Sequence, residues 1–468
     1  MGATVVWASF FPGCKGMVAA SKSMLCALVI VLCAVAAVTY GRNALTPAGA
    51  SADEALTNTD KSIEQNADLM VAKGRDIFRY DTFGDEMFWT ETLKLERAIE
   101  GAELGGEGTG VSPKTALAVG LKVDMDKLPA DLASAVRAGK VDLSSPATTL
   151  ALLQLDAVVG VKATVATSNG HQTLRSIGIS CALCHSTVDN AFAPGIGHRL
   201  DGWPNRDLNV GAIIALAPDL SAVQKLLGAN RSTVVKVFNS WGPGKFDAEL
   251  LEDGKGFRPD GKSAATLLPA AFGLAGVNLH TYTGWGSVPQ WNAFVAVLEM
   301  HGSGTYFDPR LNDPKRFPLA VKARLYDVRA ASDKVTAKLA ALQFYQLAIP
   351  APTPPAGSYD PAAAARGRTV FAGARCSRCH VPPLFTEPGW NMHTAQEIGI
   401  DDFQASRSPT DRYRTTPLRG LFARAKGGFY HDGRFANLQA VIAHYNAFFK
   451  LHLSADQQRD LAEYLKSL

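Results

Sequence analysis

The sequence predicts a mainly α chain carrying two similar domains with loop-rich insertions. Three observations predict this. The pattern Cys-x-x-Cys-His occurs twice, as Cys181-Ala182-Leu183-Cys184-His185 and Cys376-Ser377-Arg378-Cys379-His380. Dense apolar positions set among charges, such as Ile77, Phe78, Phe83, Met87, Phe88, Leu93 and Leu95, suit helices packed on a core. Between the two motifs runs a stiff, polyproline-like stretch, Ile349-Pro350-Ala351-Pro352-Thr353-Pro354-Pro355, which reads as a linker.

The repeated motif carries the chemistry. Cys-x-x-Cys-His is the attachment pattern of c-type haem. Two thiols three positions apart reach the two vinyl groups of one porphyrin, and the adjacent histidine becomes an axial ligand to iron. Half of a zinc site, or a redox dithiol, is the bland reading, but zinc wants a second pair at shorter spacing. The expectation is therefore two covalently bound haem c groups. Cys181, Cys184, Cys376 and Cys379 would attach them, and His185 and His380 would be the proximal ligands. Of the seven cysteines, the other three are Cys14, Cys26 and Cys33, so nothing after Cys33 is left for a structural disulfide.

The segments follow in order. Residues 1–50 read as an export signal. Leu25–Val38 is an apolar run too short for a confident membrane span, preceded by Lys15 and Lys22 and followed by the small-residue site Ala48-Gly49-Ala50. An uncleaved N-terminal membrane anchor is the rival, and either places the protein in a bacterial periplasm or on its membrane face. Residues 51–348 form an N-terminal region holding the first haem domain. Helical pieces fill 51–108 until Gly105-Gly106-Glu107-Gly108 interrupts them, and more alternate with turns from Pro113 to Val161. Asn169-Gly170 would close a hairpin between the runs Val158–Thr167 and Thr173–Ile179. Beyond His185, segments such as Pro194-Gly195-Ile196-Gly197 and Trp241-Gly242-Pro243-Gly244 let backbone approach a flat cofactor closely. Helices are expected at Ser221–Leu227, Ser232–Phe238 and Trp291–Met300. The linker covers 349–359. Residues 360–468 form the C-terminal cytochrome c domain, opened by a helix over Asp360–Gly373 and closed by one that Ser454-Ala455-Asp456-Gln457 begins with a capping box. A net charge of +4 without single-sign runs points to neither nucleic acid nor an acidic partner.

Function turns on the other face of each iron. Beyond the two motif histidines the chain offers His171, His198, His280, His301, His393, His431, His444 and His452. Tyr413-Arg414-Thr415-Thr416-Pro417-Leu418-Arg419-Gly420, then Gly428-Phe429-Tyr430-His431-Asp432-Gly433, then Leu438 and His444-Tyr445-Asn446, resemble the C-terminal half of bacterial di-haem cytochrome c peroxidases. That superfamily includes the enzyme that matures the quinone of methylamine dehydrogenase. Gly195-Ile196-Gly197-His198 resembles the family's loop after its first haem motif, although Leu208–Ala264 is enlarged and residues 52–160 match nothing in it.

The resemblance implies His198 as a displaceable distal ligand of the first haem and Glu299, in Leu298-Glu299-Met300, as the acid–base carboxylate. Trp285 would carry electrons between the haems, with Trp203 and Trp291 as competitors. At the second haem Tyr445 stands where the peroxidases place methionine, as in the methylamine dehydrogenase maturation enzyme. His431 is the rival, since more distantly related di-haem rubber oxygenases use a histidine in the corresponding loop, and Met392 and His393 stand behind it. A Ca2+ ion would lie near Thr415-Thr416-Pro417, with Asn205 a further candidate ligand. The implied activity is peroxide activation at one haem with electrons relayed through the other, hydrogen peroxide as substrate, and a small electron-donor protein or quinol-linked cytochrome as partner. A non-enzymatic electron carrier, and an oxygenase or protein-modifying oxidase, remain alternatives.

Overall fold

The computed structural model describes residues 57–168 and 171–468, so the expectations for residues 1–50 lie outside the described residues. Glu64–Leu468 form one compact unit. Helix is the most abundant regular structure of its described residues, just under half of them, and their strands make five two-stranded ribbons rather than a larger sheet. Among them no helix is long and apolar enough to cross a membrane.

A helix over Asn58–Tyr80 opens the described chain and buries Gly74 and Phe78. Gly74 is required there because a Cβ would run into the Ala341 carbonyl of the helix Leu339–Ala348. Val161–Ser168 then pairs antiparallel with His171–Ile179. Thr90 ties this hairpin to the π-helical turn Met87–Thr92, donating its hydroxyl to Ile177 O at 3.1 Å and accepting from Ile177 N at 2.9 Å. The hairpin's second strand delivers the chain directly to Cys181, with Ser180 N donating to Gly160 O at 2.9 Å.

The helix Ser221–Leu227 lies where its sequence places it. The next runs longer than its apolar core suggests, Arg231–Trp241, because Asn230 caps it by accepting from Thr233 N at 2.9 Å. The single helix expected over Trp291–Met300 is two pieces. Pro289 in the first turn starts an α-helix at Val288–Phe294, which widens into a π-helical turn over Val295–Glu299. Such turns concentrate at functional sites, and this one precedes His301, whose φ of 61° is left-handed.

The proline-rich segment lies against the body of the molecule: Ile349 packs into its core, and Ile349 O accepts from Gly273 N at 2.9 Å. Beyond it, Pro361–Gly373 is capped by Asp360, which accepts from the amides of Ala362 at 2.8 Å and Ala363 at 3.0 Å. This helix packs on the closing helix Ala455–Lys466, which opens with the expected capping box between Ser454 and Gln457. Phe371, Phe385, Leu461 and Leu465 fill the core between them.

Candidate functional site

Cys181, Cys184 and His185 occupy one helical turn on the wall of a cavity of about 420 Å³ whose lining is mostly apolar. His185 Nδ1 lies 3.1 Å from Pro269 O, which fixes the ring and leaves Nε2 for a metal. Burial pushes the imidazole down to about 4, so it is neutral at physiological pH, and pushes both thiols up to about 12. Thiols held protonated in apolar surroundings are poor zinc ligands. Among the described residues no cluster of His, Cys or carboxylate ligands forms around this pair. An apolar cavity, two adjacent thiols and an oriented imidazole fit a covalently attached porphyrin.

Another wall carries Glu299 and His301. The His301 ring stacks on Phe88, with centroids 3.7 Å apart, and burial alone pushes its imidazole down to about 4. Apart from His185, only His280 and His301 line this cavity among the described histidines. His280 Nε2 lies 3.0 Å from Val277 O, which leaves Nδ1 buried and unpartnered, so His280 and His301 are both candidates for a second axial ligand.

His198 does not line the cavity. Its side chain is 52% exposed, with Nδ1 2.9 Å from Asp126 Oδ1. The reason lies in the N-terminal region that the peroxidase pattern does not cover. Val123 and Asp124 pair in parallel with Ile196 and Gly197, drawing the Gly-Ile-Gly-His loop toward Asp126.

Glu299 faces a group of acids that the sequence reading did not single out. Asp247 and Glu249 line the same cavity, and Glu252 and Asp253 are buried beside them. Arg407 compensates two of these, lying 2.9 Å from Asp247 Oδ1 and 2.8 Å from Asp253 Oδ2. Glu249 Oε1 accepts from Gln404 Nε2 at 2.5 Å, while neither oxygen of Glu252 has a partner. Burial raises Asp247 to about 6 and Glu249 to about 7, and lifts Glu252 and Glu299 well above the usual carboxylate range. Burial therefore favours the protonated form of Glu299. The available signal was the acid density of Asp247-Ala248-Glu249-Leu250-Leu251-Glu252-Asp253 within the enlarged segment.

The second motif repeats the proximal arrangement. His380 Nδ1 lies 3.0 Å from Phe385 O, again leaving Nε2. Cys376, Cys379 and His380 are only partly buried. Tyr445, on the helix Leu438–Phe448, lies close enough to Cys376 and Cys379 for their charges to act on its phenol, which burial holds above its usual value. His431 is buried with Nε2 unpartnered, its ring stacked on Tyr413 at 5.1 Å. Its charged neighbours are Asp432, Arg434, Asp401 and Arg258 rather than the thiols. Asp401 and Asp432 have oxygens near its ring, but Arg258 pairs with Asp401 at 2.9 Å and Arg434 with Asp432 at 2.8 Å. His393 is likewise engaged, 2.7 Å from Glu387 Oε2.

Two further residues stand as follows. Trp285 is fully buried, donates from Nε1 to Asp308 Oδ2 at 3.1 Å and packs against Trp291, which itself lines the cavity. The adjoining stretch His280–Thr283 lines the cavity and meets the second motif's half of the chain, with Arg414 N donating to Tyr282 O at 2.9 Å. The residues expected around calcium make hydrogen bonds within the chain. Thr415 O accepts from Thr386 Oγ1, Pro417 O accepts from Arg424 Nη2, and Asn205 donates to Gly120 O at 3.0 Å.

Compared with known protein families, the chain matches none. It is 30% identical over 122 residues to the methylamine utilization protein MauG of Methylorubrum extorquens. The chain is distantly similar to MauG. The matched stretch is 22% of this chain and 34% of MauG, so the chain spans about a third of that relative's length. Among solved structures, hydrazine synthase of Kuenenia stuttgartiensis aligns with 47% of this chain and 86% of its own, at 17% identity and a TM-score of 0.26, too low to carry an argument.

Proposed function

We propose that this protein is a periplasmic di-haem c-type oxidoreductase of the cytochrome c peroxidase type, activating peroxide at the Cys181–Cys184 site with electrons relayed from the Cys376–Cys379 site. The observation that carries this is the apolar cavity that joins two attachment thiols and an oriented His185 on one wall to Glu299 and His301 on another. The distant similarity to MauG supports the same class. A haem attached there supplies an iron that binds peroxide and accepts electrons.

The chain's own residues do the rest. Pro269 O fixes the His185 ring, and the apolar lining excludes bulk water. Glu299, whose protonated form burial favours, would hold a proton in the cavity for a peroxide oxygen, the role of a general acid. The complete reaction consumes two electrons and two protons per peroxide and yields two waters; a small donor protein or quinol-linked cytochrome supplies the electrons at the second site. Buried Trp285, packed on Trp291, lies along the stretch that links the two sites.

Stopped-flow mixing of the exported protein with hydrogen peroxide, oxidised and half-reduced, tests the proposal. Rapid spectral change in one of those states, slowed at least tenfold by Glu299→Gln, is expected. Indifference to peroxide in both states would leave the electron-carrier reading, which buried His301 favours as a permanent sixth ligand.

A further inference from the structure

Three arginines meet at the seam between the two motif regions without a carboxylate among them. Arg206 comes from the first region, and Arg414 and Arg424 from the second. Arg414 lines the large cavity, donating from Nε to Thr281 O at 2.8 Å while its buried Nη1 has no partner. Arg424 reaches back to the carbonyls of Pro417 and Arg419, the latter at 3.0 Å, and leaves its buried Nε unsatisfied. Arg206 is 7% exposed, reaches only Lys426 O at 3.3 Å with Nη1, and likewise leaves Nε buried and unpaired.

The three form one electrostatic group. The charge of Arg424 acts on Arg414, that of Arg206 acts on Arg424, and Tyr282 faces both Arg414 and Arg424. The group touches both candidate sites, through the cavity wall at Arg414 and through Arg424, whose charge reaches His380. Among the described residues none of the three has an ion-pair partner; Asp207, next to Arg206 in sequence, pairs instead with Lys122 at 2.6 Å and with Lys426.

Elsewhere this protein pairs its buried guanidiniums: Arg407 has Asp247 and Asp253, and Arg199 has Asp124 at 3.0 Å. An unpaired buried cation is costly, and a guanidinium presents N–H donors in a fork that matches a carboxylate. Three together, each with an unsatisfied buried N–H, require anionic charge that the polypeptide does not supply.

We propose that Arg206, Arg414 and Arg424 form a shared anion-binding cradle for carboxylate or similar oxyanion groups, serving both sites at once. Resting on the di-haem reading above, the ligands are the propionates of both porphyrins; a free carboxylate or phosphate is the other source of the same chemistry. Because the cradle is shared, its positive charge stabilises the reduced state of both irons together.

The test uses the exported, haem-loaded protein, with wild type, Arg424→Gln, Arg206→Gln and Arg424→Lys compared by spectroelectrochemistry. Both haem potentials should shift negative in each glutamine variant, with the lysine variant, which keeps the charge, closer to wild type. In parallel, the wild-type unfolding midpoint is followed after exhaustive dialysis and titration with acetate or phosphate at constant ionic strength. Covalently held propionates predict no response, and a saturable rise would assign the cradle to a free anion instead. Potentials unchanged in both glutamine variants, together with a midpoint indifferent to added anions, would overturn the cradle. A shift confined to one haem would overturn its being shared. If the glutamine variants do not accumulate, Arg424→Lys decides by resonance Raman: shifted propionate bending modes at both haems are expected once the guanidinium fork is lost, and unshifted modes with a midpoint indifferent to added anions would overturn the cradle. Absence of covalent haem by mass would instead overturn the di-haem reading, an outcome separate from all of these.

Discussion

Replacing Arg407 by methionine removes the one guanidinium that holds together the acidic wall of the cavity. Arg407, Asp247 and Asp253 have side-chain exposures of 0%, with Arg407 2.9 Å from one carboxylate and 2.8 Å from the other. Breaking a buried pair by removing one partner costs about 3–5 kcal/mol, because the other charge stays buried and uncompensated. At about 1.4 kcal/mol per factor of ten, that is roughly two to four decades in the folded-to-unfolded ratio. The sign of the pH dependence follows from the acids. Folded Asp247 and Glu249 titrate near 6 and 7, above the ordinary carboxylate values of about 4 for an unfolded chain. The folded state therefore binds more protons, and stability falls as pH rises from about 4 to about 7. Without Arg407 those acids lose their stabilising cation and rise further, so the deficit grows with pH. Urea unfolding of wild type and variant at pH 5 and pH 8 reads this directly. A deficit below about 1 kcal/mol, or one equal at the two pH values, would refute the reasoning.

Three further outcomes are expected. His301→Ala should convert the first haem from low to high spin in the electron paramagnetic resonance spectrum, whereas His198→Ala, at an exposed residue paired with Asp126, should leave it unchanged. Tyr445→Phe should alter the optical spectrum and potential of the second haem, while His431→Ala should leave its coordination intact; the reverse pattern would make His431 the ligand. Exhaustive chelation should slow electron transfer between the haems, and added calcium should restore it, if the Thr415-Thr416-Pro417 turn holds the ion expected there; indifference to chelation would count against that site.

What was legible in the sequence was local. Two Cys-x-x-Cys-His motifs, the Ser454 capping box and the strand runs before Cys181 each depend on residues a few positions apart, and the capping box and the hairpin have their expected local structure. Glu299 was singled out by its immediate neighbours and lines the cavity, but the π-helical turn that carries it was not legible, since nothing in Val295–Glu299 marks a change of helical pitch. The placement of His198 was not legible for a non-local reason: its loop is set by pairing with Val123 and Asp124, far earlier in the chain. The acidic wall and the arginine group were missed for the same cause. Arg407 meets Asp247 and Asp253, and Arg206 approaches Arg424, only after distant segments pack. Single charged residues in sequence do not announce such company.

The di-haem assignment is tested most directly by intact mass spectrometry of the exported protein alongside Cys184→Ala and Cys379→Ala. Two covalently attached haems are expected in the wild type and one in each variant, with the remaining haem located by peptide mapping on the intact motif. A wild-type mass without haem, or two haems retained after either substitution, would contradict it.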